Sequence, residues 1–155
     1  MDINQKLAGL GLTLPPAAKP VATYVPSVES GGHLFLSGQL PMKDGQLAAT
    51  GPVGSADGPD LAAAQQAAQQ CALNAIAQID AALKGDWSRL RRFVRLGVFV
   101  AAGPEFTEHH LVANGASELI GKIFGSRGEH ARSAVGVPSL PLGASVEVDF
   151  VIALD

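Results

Sequence analysis

The longest periodic stretch of the chain runs from Asp60 to Leu83, where Leu61, Ala64, Ala68, Cys71, Ala75, Ile79 and Leu83 recur at spacings of three and four. Gln65, Gln66, Gln69 and Gln70 cover other faces, so the pattern predicts an amphipathic helix. Pro59 suits its first position, with Asp57 or Gly58 near the cap, and Lys84-Gly85 suits its end. Its alanine-rich inner side predicts close packing on a sheet. A second helix is predicted from Thr107, a good N-cap, to about Phe124, with Leu111, Gly115, Leu119, Ile120 and Ile123 on one side. Near the N-terminus, a helix begun at Ile3–Leu10 has to stop before Pro15-Pro16.

Strands are predicted at Val21–Val28 and His33–Ser37, joined as a hairpin by Gly31-Gly32, then at Phe93–Val100, Ala131–Val137 and Ala144–Leu154. In the last of these, Val146, Val148, Phe150 and Ile152 alternate with Glu147, Asp149 and Val151, so one sheet face is the more polar. Residues 41–58, rich in Gly, Pro, Asp and Ser, read as a loop with a short β excursion at 46–48. The order ββαβαββ predicts an α+β fold, two helices covering one face of a mixed sheet. No helix remains for the other face, which predicts self-association through it.

The chain has 155 residues, of which 47% are hydrophobic and 16% charged, enough for a core in one domain over 1–155, with 1–20 as an N-terminal extension. A formal net charge of -3 leaves no broad basic face for nucleic acid. The cluster Arg89, Arg91, Arg92 and Arg95 sits where a strand begins and is read as a solvated strand entry. A lone cysteine, Cys71, excludes an internal disulfide framework. The N-terminus lacks a signal-peptide pattern, and nothing approaches the ~18 apolar residues of a membrane span. A soluble, cytoplasmic protein with no membrane partner is expected.

Glu108-His109-His110 offers adjacent imidazoles about 100° apart on a helix, a poor fit to one metal ion. No nucleophile elbow or phosphate-binding loop is present, and Cys71 reads as a small core residue. Arg132 stands out because it opens an apolar strand, where a charge needs a partner. Two readings stay open: an ion pair with Glu147 or Asp149 on the last strand, taken as its neighbour, or a guanidinium offered to a substrate carboxylate.

Leu36-Ser37-Gly38-Gln39-Leu40-Pro41, Ala131-Arg132-Ser133-Ala134-Val135, Leu140-Pro141 and Val146-Glu147-Val148 occur in the order in which the RidA/YjgF family carries similar blocks. The chain resembles that family, also known as endoribonuclease L-PSP, from about Val21 to Leu154. The resemblance implies a chorismate-mutase-like fold and a homotrimer with sheets around a central barrel. It also implies clefts between subunits that hydrolyse enamine or imine intermediates, such as 2-aminoacrylate and 2-iminobutanoate, to 2-keto acids and ammonia. On that likeness Arg132 binds the substrate carboxylate and Glu147 serves the attacking water. Tyr24 covers the substrate, Ser37 and Gly38 line the pocket, and Asn114 joins from the second helix.

The resemblance implies no metal or organic cofactor; the expected partners are a small carboxylate-bearing imine, enamine or keto acid and further copies of the chain. Ala134 stands where many deaminating members carry Cys, Ser or Thr, and Gly136 replaces a common Glu. The extension and the longer 42–58 loop also depart from compact members. These departures keep a non-catalytic metabolite-binding trimer open as an alternative. An endoribonuclease or translation inhibitor is the weaker third reading, since aromatics make up only 5% of the chain.

Overall fold

The final strand sets the two faces of the sheet. A computed structural model describes residues 1–19 and 23–155 of the chain. In its strand β7 (Val146–Leu154), Val146, Val148, Phe150, Ile152 and Leu154 are buried, while Glu147, Asp149, Val151 and Ala153 are partly exposed. The predicted alternation is therefore present, although the strand starts at Val146 rather than Ala144. Helices α2 (Leu61–Leu83) and α3 (His109–Phe124) contribute most of the remaining core on the buried side.

The hairpin consists of β1 (Ser27–Ser30) and β2 (His33–Gln39), turning at Gly31 and Gly32 with φ of 57° and 71°. Glycine meets that left-handed requirement without strain. The first strand begins later than its β-friendly residues suggest: Tyr24 and Val25 precede it, and Val21 lies outside the described residues. A small second sheet, β3 (Met42–Lys43) with β4 (Gln46–Leu47), occupies the start of the predicted loop.

With β5 (Leu90–Ala101) and β6 (Ala131–Val137), the main sheet has the order β1-β2-β7-β5-β6. β6 runs parallel to β5, the crossover being α3, whereas β5–β7, β2–β7 and β1–β2 are antiparallel. β5 thus separates β6 from β7. The expectation that the last strand is the neighbour of Arg132 is corrected here: a parallel return through a helix is placed beside the strand it left, and the final strand entered on the other side.

Both helix starts also need correction. Asp60 caps α2 by accepting from the Ala63 amide at 2.8 Å, so neither Asp57 nor Gly58 is needed and Pro59 lies outside the helix. α3 begins at His109 behind Glu108, with no side-chain cap in place of the expected Thr107. The end of α2 follows expectation: Lys84 takes φ 55° and Gly85 φ 79°. Ala64, Ala68, Ala72 and Ala75 are fully buried, and the two helices cross where a Cβ on Gly115 would lie 1.9 Å from the Gln65 carbonyl oxygen. Small side chains are the condition for that approach.

The N-terminal extension is built into the fold. α1 (Ile3–Ala8) is capped by Asp2, buries Ile3 and Leu7, and is tied to α3 by a hydrogen bond that Lys6 Nζ donates to the Ile123 carbonyl. The opposite sheet face remains open, with Val28, Phe35 and Val135 at 51, 46 and 46% exposure. None of the described helices is long and apolar enough to cross a membrane.

Candidate functional site

Arg132 lies on edge strand β6. Its register partner Leu96 also pairs with Phe150, which puts the arginine on the helix side of the sheet. There its guanidinium is oriented by α3: Nη1 donates to Asn114 Oδ1 and Ser117 Oγ, both at 3.0 Å, and Nη2 to the His110 carbonyl at 3.1 Å. All three acceptors are neutral. Among the described residues no carboxylate forms an ion pair with Arg132, so the ion-pair reading with Glu147 or Asp149 does not hold. A guanidinium that keeps its charge and part of its donor fork is suited to a planar anion.

Two residues behind Arg132 carry no signal in the sequence alone. His130 Nδ1 stands 2.6 Å from the Gly128 carbonyl, which can only accept, so Nδ1 bears the proton in the neutral ring. Nε2 is then an acceptor for the Ser117 hydroxyl at 2.9 Å, and that hydroxyl keeps a lone pair for Arg132. Ser117 is one helical step from Asn114 on the same face, a spacing that becomes informative only once Asn114 is known to face the arginine.

Glu147 occupies the other face. It pairs in register with Phe99, which also pairs with exposed Val135 on the open side. Its carboxylate lies across Gly38, where a Cβ would come within 1.8 Å of Oε1. Burial pushes the Glu147 carboxyl above its ordinary value, and the neighbouring Asp149 charge adds to the shift. Ser37 donates from Oγ to the Val25 carbonyl at 2.8 Å and from its amide to the Pro26 carbonyl at 3.0 Å, which ties the Tyr24 segment alongside β2. Tyr24 and Gly38 line one cavity.

The predicted residues therefore fall into two groups. Arg132, Asn114 and Ala134 sit between α3 and the β6 edge; Tyr24, Ser37, Gly38 and Glu147 gather around β2 and β7. One chain does not bring the groups together, because β5 and the thickness of the sheet separate Arg132 from Glu147. Ala134 is half-buried against the core, and Gly136 is covered by His109, whose Nε2 stands 2.5 Å from a Cβ placed there. A glutamate side chain at that position would require His109 to move.

The remaining candidates have local roles. His109 meets the Phe106 ring edge-on at 5.1 Å, while His110 serves Arg132 through its carbonyl. Arg89 pairs with Glu29 at 2.7 Å, Arg95 with Asp149 at 3.3 Å, and Arg92 donates to the Glu129 carbonyl at 3.0 Å. The arginine cluster is thus largely engaged along the strand. Cys71 is fully buried, and burial pushes its thiol well above the ordinary value, as befits a core residue.

A mixed sheet with helices on one face, a parallel β5-α3-β6 crossover and an arginine at the sheet edge defines an α+β protein of the YjgF/chorismate-mutase-like type. The family model described as "YjgF/chorismate mutase-like, putative endoribonuclease" matches residues 4–154, and the chain belongs to that family. It is 49% identical to protein TCP17 of Trypanosoma cruzi over 154 residues, covering 99% of this chain and 94% of TCP17. The crystal structure of Atu1372 from Agrobacterium tumefaciens, described as a protein of unknown function, is 53% identical with a TM-score of 0.91, covering 99% of this chain and 92% of that one. A structure from Shewanella oneidensis MR-1, described as "a putative endoribonuclease", is 31% identical with a TM-score of 0.93, covering 99% and 100%.

Proposed function

We propose that the protein hydrolyses reactive 2-imino and 2-enamino acids to 2-keto acids and ammonia, at clefts formed where copies of the chain meet in a trimer. The observation that carries this reading is the guanidinium of Arg132, oriented by neutral acceptors on α3 and left without a carboxylate partner. Because the Arg132 and Glu147 groups lie on opposite faces, a second copy is needed to set one copy's Glu147 against the other's Arg132. The exposed Val28, Phe35 and Val135 give the open face an apolar surface to bury in such an assembly.

In this mechanism an enamine first takes a proton from solvent at its terminal carbon and loses one from nitrogen, which gives the imine; Arg132 holds the substrate carboxylate and orients the C=N carbon, which is already electrophilic. The oxygen of a water bonds to that carbon while Glu147 takes a proton from the oxygen and delivers one to nitrogen. The aminoalcohol then breaks its C–N bond: Glu147 takes the remaining hydroxyl proton, C=O forms, and nitrogen leaves as ammonia with the proton Glu147 returns. A carboxyl raised above its ordinary value is a stronger base for this task. The apolar Ala134 wall leaves water handling to Glu147 and backbone groups.

The test is turnover of 2-aminoacrylate generated in situ. The expected result is hydrolysis well above the buffer rate, reduced about 10- to 100-fold by Arg132→Ala, the scale of a lost charged hydrogen bond, with the assembly unchanged on size exclusion. A rate equal to buffer removes the deaminase reading. The second reading, a trimer that binds keto acids without turnover, is favoured by the absence of a polar side chain at Ala134. A thermal shift with keto acids but no turnover selects it.

A further inference from the structure

A guanidinium carries N–H donors on both Nη atoms, two on each, and one on Nε. On Arg132, Asn114 Oδ1 and Ser117 Oγ take the two of Nη1, and the His110 carbonyl takes one from Nη2. Among the described residues nothing accepts from Nε or from the second hydrogen of Nη2. The Nη1 bonds are part-buried, whereas the Nη2 bond lies at the exposed end of the group. The donors left over therefore sit on neighbouring nitrogens, and two N–H groups side by side are what a carboxylate meets with paired bonds.

Ser117 can fill Nη1 only while its oxygen turns a lone pair, not its proton, toward the arginine. A serine inside a helix can bond its hydroxyl back to the carbonyl one turn earlier; here the hydroxyl faces His130 Nε2 at 2.9 Å instead. The imidazole accepts that proton because the Gly128 carbonyl, 2.6 Å from Nδ1, keeps the proton of the neutral ring on the other nitrogen. Gly128 in turn lies against α3, where a Cβ would come within 2.7 Å of the Ile120 carbonyl oxygen. Ile120 is one helical step beyond Ser117, so this close approach sets the height at which His130 meets the serine.

We infer that Ser117 and His130 are positioning residues of the carboxylate clamp: by filling Nη1 they leave Arg132 its Nε–Nη2 edge, and so fix the direction from which a substrate carboxylate is taken. This rests on the reading of Arg132 as a carboxylate site given above. Both residues act through the arginine. Without the imidazole, the Ser117 hydroxyl is free to turn to the helix backbone. Without the serine, an Nη1 hydrogen competes for the anion, and the carboxylate is held in more than one pose.

The experiment uses the full chain. Pyruvate binding is measured by calorimetry, beside kcat and KM for the imine of alanine generated by an amino-acid oxidase. Ser117→Ala and His130→Leu are each expected to weaken pyruvate binding and raise KM about tenfold, the scale of one lost hydrogen bond, with kcat little changed, as for a loss of ground-state binding. His130→Gln, whose carboxamide oxygen can accept the serine proton, is expected to keep most of the affinity. Added to Arg132→Ala, Ser117→Ala is expected to lower kcat/KM no further, because the two act as one unit. Ser117→Ala carries the test alone should His130→Leu fail to fold. Parent-like binding and KM in the folded variants overturn the inference and leave the hydrolase reading standing. A further loss from Ser117→Ala in the absence of the arginine overturns it too, since the serine then acts through the fold. Equal losses in His130→Gln and His130→Leu overturn the acceptor role of Nε2. No turnover by the parent, with pyruvate bound and the same order of affinities among the variants, removes the reaction and keeps the inference. A parent that neither binds pyruvate nor turns over the imine overturns both.

Discussion

Replacing Gly38 with alanine separates catalysis from stability at one position. A Cβ there would sit 1.8 Å from Glu147 Oε1, 2.7 Å from Cδ and 3.0 Å from Cγ. Ordinary contact begins near 3.4 Å, so the carboxylate has to retreat by about 1.6 Å. Glu147 is a side chain on the open face and has somewhere to go. The backbone does not resist either, since Gly38 is not among the positive-φ glycines. At such a site Gly→Ala reduces the freedom of the unfolded chain and contributes about 0.4–1 kcal/mol of stability. Displacement on the scale of an ångström costs a catalytic group about 100-fold in rate. The expected variant therefore melts at or a few degrees above the parent and hydrolyses imines about 100-fold more slowly. Glu147→Gln should show a similar loss, and the double variant no greater loss than the worse single one, because both act through one carboxylate. Parent-like turnover in Gly38→Ala would refute the placement of the chemistry at Glu147. A melting point several degrees lower would show instead that the Glu147–Gly38 contact is structural.

Two further predictions rest on neighbouring observations. Gly115→Ala drives a Cβ into the Gln65 carbonyl at 1.9 Å, a backbone atom that cannot swing away; overpacking of this kind costs about 3 kcal/mol, a loss of roughly 6–12 °C in Tm. Gly121→Ala, in the same helix with nothing within 4 Å, should instead raise Tm, since a helical glycine costs about 1 kcal/mol against alanine; a similar drop in both variants would refute the close-crossing argument. Glu147 supplies a pH signature: its folded carboxyl titrates above the ordinary 4.5, so just above that pH the folded chain binds more protons than the unfolded one. Stability then falls as pH rises through this window, while imine turnover rises as the base ionises. Glu147→Gln should flatten that part of the stability profile, and an unchanged slope in calorimetric melts would count against the burial of this carboxyl.

The elements themselves were legible. The three-and-four spacing of Leu61 to Leu83, the alternation from Val146 to Ile152 and the Gly31-Gly32 turn reflect contacts between residues close in the chain, and each is found where its pattern lies. The helix starts were less so. Several polar residues near each start compete for the cap, and geometry chose Asp60 for α2 and left α3 without a side-chain cap. Arg132 is legible from its charge at the head of an apolar strand, and Tyr24 and Glu147 from the family resemblance, but Ser117 and His130 are not, because a serine in a helix and a lone histidine acquire meaning only from what stands across from them.

By itself, the amino-acid order determined which segments become helices and strands, which side of each is apolar, and the family to which the chain belongs, since all three depend on short-range periodicity and contiguous motifs. Tertiary structure alone decided that β5 stands between Arg132 and Glu147, that a relay from α3 and His130 aims the arginine, and that the N-terminal segment 11–19 walls a cavity beside Gly38. Strand order and the placement of that segment follow from pairings between residues far apart in the chain, and the alternation of a strand is the same whichever neighbour it meets.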